Sequence, residues 1–198
     1  MPKAITKEQL LLATLKLISA KGYLGATTRE IAQEAGVTEL TLFRHFGSKE
    51  KLFEALLKDY TFLPKLKELL PELEDLPYEE ALTLIATRFL LSLQERKSMV
   101  RIMFSEITIY PDKIRVVYNK FIDDVRATLA IYFATMLKKG HLRAVSPEMA
   151  ARMFLGILFS YFRSEEIMRE NGMSKNKMKK DIRAFVNIFV HGTQNEKH

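Results

Sequence analysis

The sequence lacks cysteine altogether and has only 8 glycines and 6 prolines among its 198 residues. Without cysteine there can be no disulfide bond, thiol nucleophile or thiolate-ligated zinc, and a reducing compartment is the natural setting. No apolar run is long enough to span a bilayer, and charged residues interrupt the N-terminus before any signal-peptide core. We therefore expect a cytoplasmic protein with no membrane partner.

Motifs of the common enzyme classes are also missing. No P-loop, nucleophile elbow or pair of catalytic carboxylates occurs in the sequence. The four histidines do not have the spacing of metal ligands; they are His45, His141, His191 and His198. We therefore expect neither an enzyme nor a bound metal or cofactor.

The composition is that of an ordinary globular protein with a basic surface. Hydrophobic residues make up 47% and charged residues 28%, and the formal net charge is +7 with a pI near 9.5. A basic balance favours polyanionic partners such as nucleic acid. A lysine-rich surface that only keeps the protein in solution explains the same charge, so charge alone leaves both interpretations open.

Glycine and proline fall mostly between helical patterns, and alternating strand patterns are hard to find. Gly22 ends the first helix, and a capping box of Thr27 and Glu30 starts the second. Thr38 and Ser48 cap the third and fourth helices. These signals predict an all-α fold of about nine helices. The predicted helices cover roughly residues 7–21, 28–35, 39–46, 49 to 64 or 71, 78–95, 99–109, 111–139, 147–170 and 175–190.

The most specific pattern lies at residues 27–46, where two short helices meet at a tight turn. Gly36 occupies a position that needs left-handed backbone, and Ala32 is small where the two helices approach closely. This pattern predicts a helix-turn-helix. An ordinary helical hairpin with a glycine turn is the alternative, and the longer run through Phe53 argues against it. The apolar residues that would close a core with the first helix are Ile31, Val37, Leu42 and Phe46.

The second helix of this motif has two opposite faces. At 100° per residue, Leu42 and Phe46 point inward, whereas Leu40 and Arg44 point outward. In a major groove, Arg44 can donate two hydrogen bonds to guanine O6 and N7. Leu40 and Thr41 can contact a thymine methyl group. We therefore expect this helix to read DNA bases.

Donors at the rim of the motif are candidates for phosphate contacts, which position a protein without reading sequence. Thr28 and Arg29 lie at a helix N-terminus, which attracts anions. His45 and Lys49 are further phosphate candidates. Glu39 can accept from cytosine N4 or favour the positive helix N-terminus, and we prefer the second explanation. The predicted DNA-binding residues are Thr28, Arg29, Thr38, Glu39, Leu40, Thr41, Phe43, Arg44, His45 and Lys49.

At these residues the sequence resembles the TetR family of bacterial transcriptional regulators. The resemblance is close over about residues 10–56 and extends to the rest only in length and helix order. It implies a helix-turn-helix DNA-binding domain at residues 1–50, a helical-bundle domain for ligand binding and dimerisation at 51–198, and a homodimer. The matching motifs are Gly22-Tyr23, Ala26-Thr27-Thr28, Ile31-Ala32, Ala35-Gly36-Val37 and the run from Leu42 to Leu52.

One position departs from the family pattern. The family commonly has a tyrosine where this chain has Phe43, and the tyrosine hydroxyl often contacts a phosphate. Phe43 cannot make that bond. We therefore expect His45 and Lys49 to carry more of the backbone anchoring.

The two C-terminal helices are candidates for the dimer surface. The helix predicted at 147–170 is apolar nearly all round, which requires burial on more than one side. A purely internal core is the alternative. A two-fold dimer also fits a palindromic operator with half-sites one helical turn apart. The predicted interface residues are Met149, Met153, Gly156, Phe159, Ile182, Phe185 and Phe189.

The middle helices are rich in aromatic residues and methionine, which can line an adaptable apolar cavity or simply fill a core. Arg101, Glu106 and Asn119 are polar residues nearby that could orient a ligand. We therefore expect a ligand-responsive repressor with a small hydrophobic effector; the alternative is a helical interaction protein of the same fold without operator binding. The candidate pocket residues are Phe62, Phe89, Met103, Phe104, Tyr110, Tyr118, Phe121 and Phe159.

Overall fold

Helices account for most of the chain in the computed structural model, which describes residues 7–143, 145–169 and 172–194. The all-α prediction is confirmed, and an isolated bridge between Leu142 and Gln194 is the only extended pairing in the described part. None of the described helices combines the length and the apolar character needed to cross a membrane. The helices are α1 (Lys7–Gly25), α2 (Thr28–Glu34), α3 (Glu39–Phe46), α4 (Lys49–Asp59), α5 (Phe62–Leu73), α6 (Tyr78–Glu95), α7 (Lys97–Glu106), α8 (Asp112–Lys138), α9 (Pro147–Phe162) and α10 (Lys175–Thr193), with a π-helical turn at Arg163–Met168.

The predicted capping residues start the short N-terminal helices. The Thr27 hydroxyl accepts a hydrogen bond from the Glu30 amide, and the Glu30 carboxylate accepts one from the Thr27 amide, so the capping box is present. The side chains of Thr38 and Ser48 cap α3 and α4 in the same way, each accepting from an amide three residues on. Gly22 interrupts α1 with a φ of 76°, as its predicted role as a helix end requires.

Two helices end well before their predicted ends. The fourth helix ends at Asp59, because Tyr60 leaves helical geometry with a φ of −116° and a ψ of 26°. A separate α5 follows, with Pro64 in its first turn, where a missing amide proton costs no helical hydrogen bond. The helix predicted at 147–170 is α-helical only to Phe162 and continues as the π-helical turn. Its predicted last residue, 170, lies outside the described residues.

The first compact unit comprises the described residues up to 61 together with residues 96–121. It contains α1 to α4, α7 and the first part of α8. Its core is a continuous apolar cluster to which every one of these helices contributes. The central members, all fully buried, include Leu10, Ile18, Ile31, Leu42, Leu52 and Phe53.

The second compact unit comprises residues 62–95 and the described residues from 122 onward. It contains α5, α6, the rest of α8, α9 and α10. Phe133, Phe154 and Phe189 form an aromatic cluster with ring centroids 5.0 to 6.3 Å apart. The domain boundary predicted at residue 50 divides the chain by function and not by packing, so it remains a prediction.

Candidate nucleic-acid interface

A tight turn between α2 and α3 sets the direction of α3. Gly36 has a φ of 72°, and the Val37 amide donates to the Ala32 carbonyl at 2.9 Å. A Cβ atom at position 36 would meet no atom within 4 Å, so the glycine is needed for its backbone conformation rather than for space. Ile31 and Leu42 are completely buried and fasten both helices to the core.

The α3 helix has the two faces expected from its sequence. Leu42 and Phe46 are buried, whereas Leu40 is 79% exposed and Phe43 is 40% exposed. Arg44 lies on the exposed side as well. The helix therefore holds one cationic and two apolar side chains in solvent on a rigid support, while the contact of each with a base or phosphate remains a prediction.

Two predicted DNA-binding residues, Thr28 and Glu39, bind each other. The Thr28 hydroxyl donates to the Glu39 carboxylate at 2.5 Å and so ties the start of α2 to the start of α3. The Thr38 hydroxyl caps α3 and lies 3.0 Å from the Thr41 hydroxyl. These contacts give Thr28, Thr38 and Glu39 structural roles in presenting α3.

Lys49 occupies a different place from the one that the sequence suggested. Its ammonium donates to the Tyr23 carbonyl oxygen at 2.6 Å and lies 4.3 Å from the centre of the Tyr23 ring. Burial lowers the pKa of this ammonium, and the charge of Glu106 opposes that shift most strongly. The position of Lys49 therefore does not support the predicted phosphate contact, because its donor is directed at the protein backbone.

The carboxylates of α2 are paired with lysines of α1. Lys21 contacts Glu30 at 2.6 Å, and Lys16 contacts Glu34 at the same distance. Hydrogen bonds from Lys21 and from Thr27 lower the pKa of Glu30 to about 2. Each pair places a lysine ammonium against a carboxylate of α2 and so neutralises the negative charge of that carboxylate.

The candidate pocket residues are divided between the two compact units. Phe62 and Phe89 pack edge to face in the second unit, with ring centroids 5.1 Å apart. Phe104, by contrast, is exposed on the first unit. Glu106 accepts a hydrogen bond from the Tyr23 amide at 2.9 Å, so its carboxylate is engaged at the end of α1. The ligand-binding role of the set remains a prediction. The first unit contains Met103, Phe104, Tyr110, Tyr118 and Phe121, and the second contains Phe62, Phe89 and Phe159.

The predicted dimer residues differ in exposure, and two of them, Phe159 and Phe185, are partly buried. Met149, Met153 and Gly156 lie on one exposed face of α9. Ile182 and Phe189 are only 1% and 6% exposed and pack in the core of their own unit, which does not support their place in the predicted interface. The α10 sequence alternates apolar residues at spacings of three and four, and that pattern cannot distinguish a side facing its own core from one facing a partner.

Two exposed apolar residues on the same helices escaped the prediction, Ile157 on α9 and Ile188 on α10. Ile157 follows Met153 at a spacing of four, which places both on one helix face. Ile188 directly precedes the buried Phe189 in an apolar stretch, so only its exposed position in the structure identifies it.

Two family models match this chain. The model described as bacterial regulatory proteins, tetR family, matches residues 10–56. The model described as AefR-like transcriptional repressor, C-terminal domain, matches residues 80–192. The HTH-type transcriptional regulator YvkB of Bacillus subtilis (strain 168) is 34% identical over 79% of this chain and 81% of its own length. The nucleoid occlusion factor SlmA of Vibrio vulnificus (strain YJ016) is 26% identical over 78% of this chain and 80% of its own length.

Solved structures share the fold. The transcriptional regulator FadR from Bacillus subtilis, in complex with stearoyl-CoA, superposes with a TM-score of 0.76 at 17% identity, covering 94% of this chain and 99% of FadR. The TetR-family regulator PfmR from Thermus thermophilus superposes with a TM-score of 0.64 at 21% identity, covering 92% and 97% of the two chains. At these identities the similarity establishes the fold alone.

Proposed function

Because this chain belongs to the TetR family of bacterial transcriptional regulators, we propose that it is a repressor that binds a palindromic operator as a dimer and leaves it when a small apolar or amphipathic effector binds. The membership rests on matches that together cover the N-terminal motif and most of the C-terminal half. Repression, the operator and the effector are the parts that we add.

The exposed face of α3 carries the proposal. Leu40 and Arg44 lie one helical turn apart on a helix that the Gly36 turn holds rigidly. An arginine beside an exposed leucine matches the two chemistries of the major groove, which are guanine acceptors and thymine methyl groups. Base reading by this helix therefore accounts for side chains that contribute little to the core.

A dimer is supported by the apolar residues exposed on α9. Met149, Met153 and Ile157 are each between 41% and 51% exposed. Exposed apolar side chains clustered on one helix are typical of protein–protein contact surfaces. A two-fold dimer also matches a palindromic operator, whose half-sites lie one helical turn, about 34 Å, apart.

The effector is proposed to be apolar because the second unit is built from aromatic and methionine-rich helices, which adapt readily to a hydrophobic guest. FadR, which shares this fold, was solved with stearoyl-CoA. An acyl chain is therefore one effector chemistry to test. It can control repression only if it binds the DNA-competent and DNA-incompetent states with different affinities.

Selection of bound DNA from a random pool tests the proposed function. We expect a palindrome with half-sites one helical turn apart, and an affinity that falls steeply as salt rises. If the chain enriches no sequence and retards no DNA at low salt, the result would favour the alternative function, an interaction protein of the same fold. Acyl-CoA added to the selected complex should then lower the affinity if the effector proposal is correct.

A further inference from the structure

The end of α1 is held by a carboxylate from α7. Glu106, the last residue of α7, accepts a hydrogen bond from the Tyr23 amide at 2.9 Å. The preceding residue is Gly22, and a Cβ atom there would overlap the carboxylate of Glu106. The carboxylate therefore occupies space that only glycine leaves open. The φ of 76° at Gly22 independently disfavours any other residue at this position.

The carbonyl group of Tyr23 is bound by a lysine of α4. The Lys49 ammonium donates to the Tyr23 carbonyl oxygen at 2.6 Å and lies over the Tyr23 ring. Glu106 and Lys49 thus bind the amide and the carbonyl of one residue. Their opposite charges also favour each other, which opposes the effect of burial on the pKa of Lys49.

Tyr23 also packs its ring against α4 and against the loop that follows α7, both within the first unit. Its ring lies 4.9 Å from that of Phe53 in α4 and 6.0 Å from that of Tyr110, which follows α7. Only four residues separate Tyr23 from the start of α2 at Thr28. The Ala26 amide, within that short segment, donates to the Gly22 carbonyl. The position of Tyr23 therefore helps to set where α2 begins and, through the turn that follows α2, how α3 is presented.

We propose that Glu106 and Lys49 are positioning residues for DNA binding, which clamp Tyr23 between them and so hold the end of α1 at the place from which the helix-turn-helix starts. This inference rests on the proposed function and deepens it by naming residues that orient the DNA-reading helix without contacting DNA. It also assigns Lys49 a role inside the protein in place of a phosphate contact. Neither residue touches a base in this assignment.

Affinity measurements on the full-length chain test the role of Glu106. We compare Glu106→Gln with the matched control Glu54→Gln, which removes an exposed carboxylate paired with Lys120 at 3.0 Å in the same unit. Affinity is measured for the selected operator and for random-sequence DNA. We expect Glu106→Gln to lower operator affinity about tenfold, the loss typical of a hydrogen bond to a charged group, and to leave random-sequence binding unchanged. The Glu54→Gln variant should bind both DNAs like the wild type.

The salt dependence of binding tests the role of Lys49. We expect Lys49→Met to weaken operator binding while the slope of log affinity against log salt stays at the wild-type value. A slope reduced by about 0.9 would mean that Lys49 neutralises a phosphate, and would overturn its assignment as a positioning residue. The double variant should lose little more than either single variant, because both changes release the same residue.

The remaining outcomes are also decisive. Equal losses on operator and random DNA in Glu106→Gln would indicate a reduced folded fraction, and an unchanged operator affinity would remove any positioning role; either result overturns the inference. If Glu106→Gln lacks the wild-type circular dichroism, Glu106→Asp, which keeps the charge but shortens the reach, replaces it with the same expectations. A wild-type chain that binds no DNA at all would refute the proposed function itself, a result distinct from any of these.

Discussion

At the level of single residues, Arg44 and Leu40 are the side chains that we propose read DNA. Both lie on the exposed side of α3, away from the buried Leu42 and Phe46. The inward pair explains why the helix is stable, since these side chains close the core of the first unit. The outward pair has no comparable packing role.

Replacing Arg44 with alanine should weaken operator binding by about 1–3 kcal/mol and relax the base preference at one position of each half-site, because a bidentate contact to guanine is lost. Repeating the DNA selection with the variant measures both effects. Lys58→Ala, which removes an exposed cation from the last turn of α4, is the control. If the two variants give the same sequence preference, Arg44 does not read a base.

Replacing Phe43 with tyrosine should increase operator affinity by about 1 kcal/mol, because the added hydroxyl can donate to a phosphate. Phe43 is 40% exposed, so the hydroxyl can be added without disturbing the core. Titration of the selected operator at a fixed salt concentration measures the change. Since the new donor is uncharged, the salt slope should not change. A variant with unchanged or weaker affinity would show that the residue does not face the DNA backbone.

At the scale of helices, local sequence signals predicted starts better than ends. Thr27, Thr38 and Ser48 each cap a helix as expected, because a cap is satisfied by amides two or three residues away. The break between α4 and α5 was missed. There the buried Thr61 hydroxyl donates to the Leu57 carbonyl. Buried apolar residues lie on both sides of the break, so the apolar pattern of the sequence shows no interruption.

Because of the capping box of α2, we expect the stability of the protein to fall at acid pH. The folded-state pKa of Glu30 is lowered to about 2 from an ordinary value of 4.5, first by the hydrogen bond from Lys21 and then by those from Thr27. A lowered folded-state pKa stabilises the protein above the unfolded value, and that contribution is lost as the pH falls from about 4.5 towards 2. Glu30→Gln should therefore flatten the acid side of the stability curve.

Urea unfolding of the wild type and of Glu30→Gln at a series of pH values measures this effect. Glu68→Gln, on α5, is the control and should keep the wild-type pH dependence. Parallel curves for the wild type and Glu30→Gln below pH 4.5 would contradict the proposed linkage.

At the scale of the whole molecule, the α9 face of Met149, Met153 and Ile157 is one of the apolar surfaces that the described part of a single chain leaves exposed. Introducing a charge there, as in Met153→Asp, should convert the expected dimer to a monomer, because the carboxylate would be buried without a partner. Light scattering on the eluted protein measures the mass, and the operator affinity should fall with it. Ile109→Asp, at an exposed apolar site on the first unit, should leave the mass unchanged. A wild-type monomer, or a dimeric Met153→Asp variant, would contradict this interface.

The sequence by itself determined the all-α class, the caps and turn of the helix-turn-helix, and the two faces of α3. Each of these depends on interactions between residues a few positions apart, such as the Thr27–Glu30 capping box and the backbone conformation at Gly36. Local sequence carries the whole of that information.

Only the tertiary structure decided which long side chains point outward and which are used inside the protein. It directed Lys49 to the Tyr23 carbonyl, brought Glu106 to the end of α1 across 83 residues, and buried Ile182 in the core of its own unit. The physical reason is that a long charged side chain can point in several directions, and a helix that is apolar all round can bury any of its faces, at similar local cost. Packing and desolvation by residues distant in sequence decide which direction and which face are used.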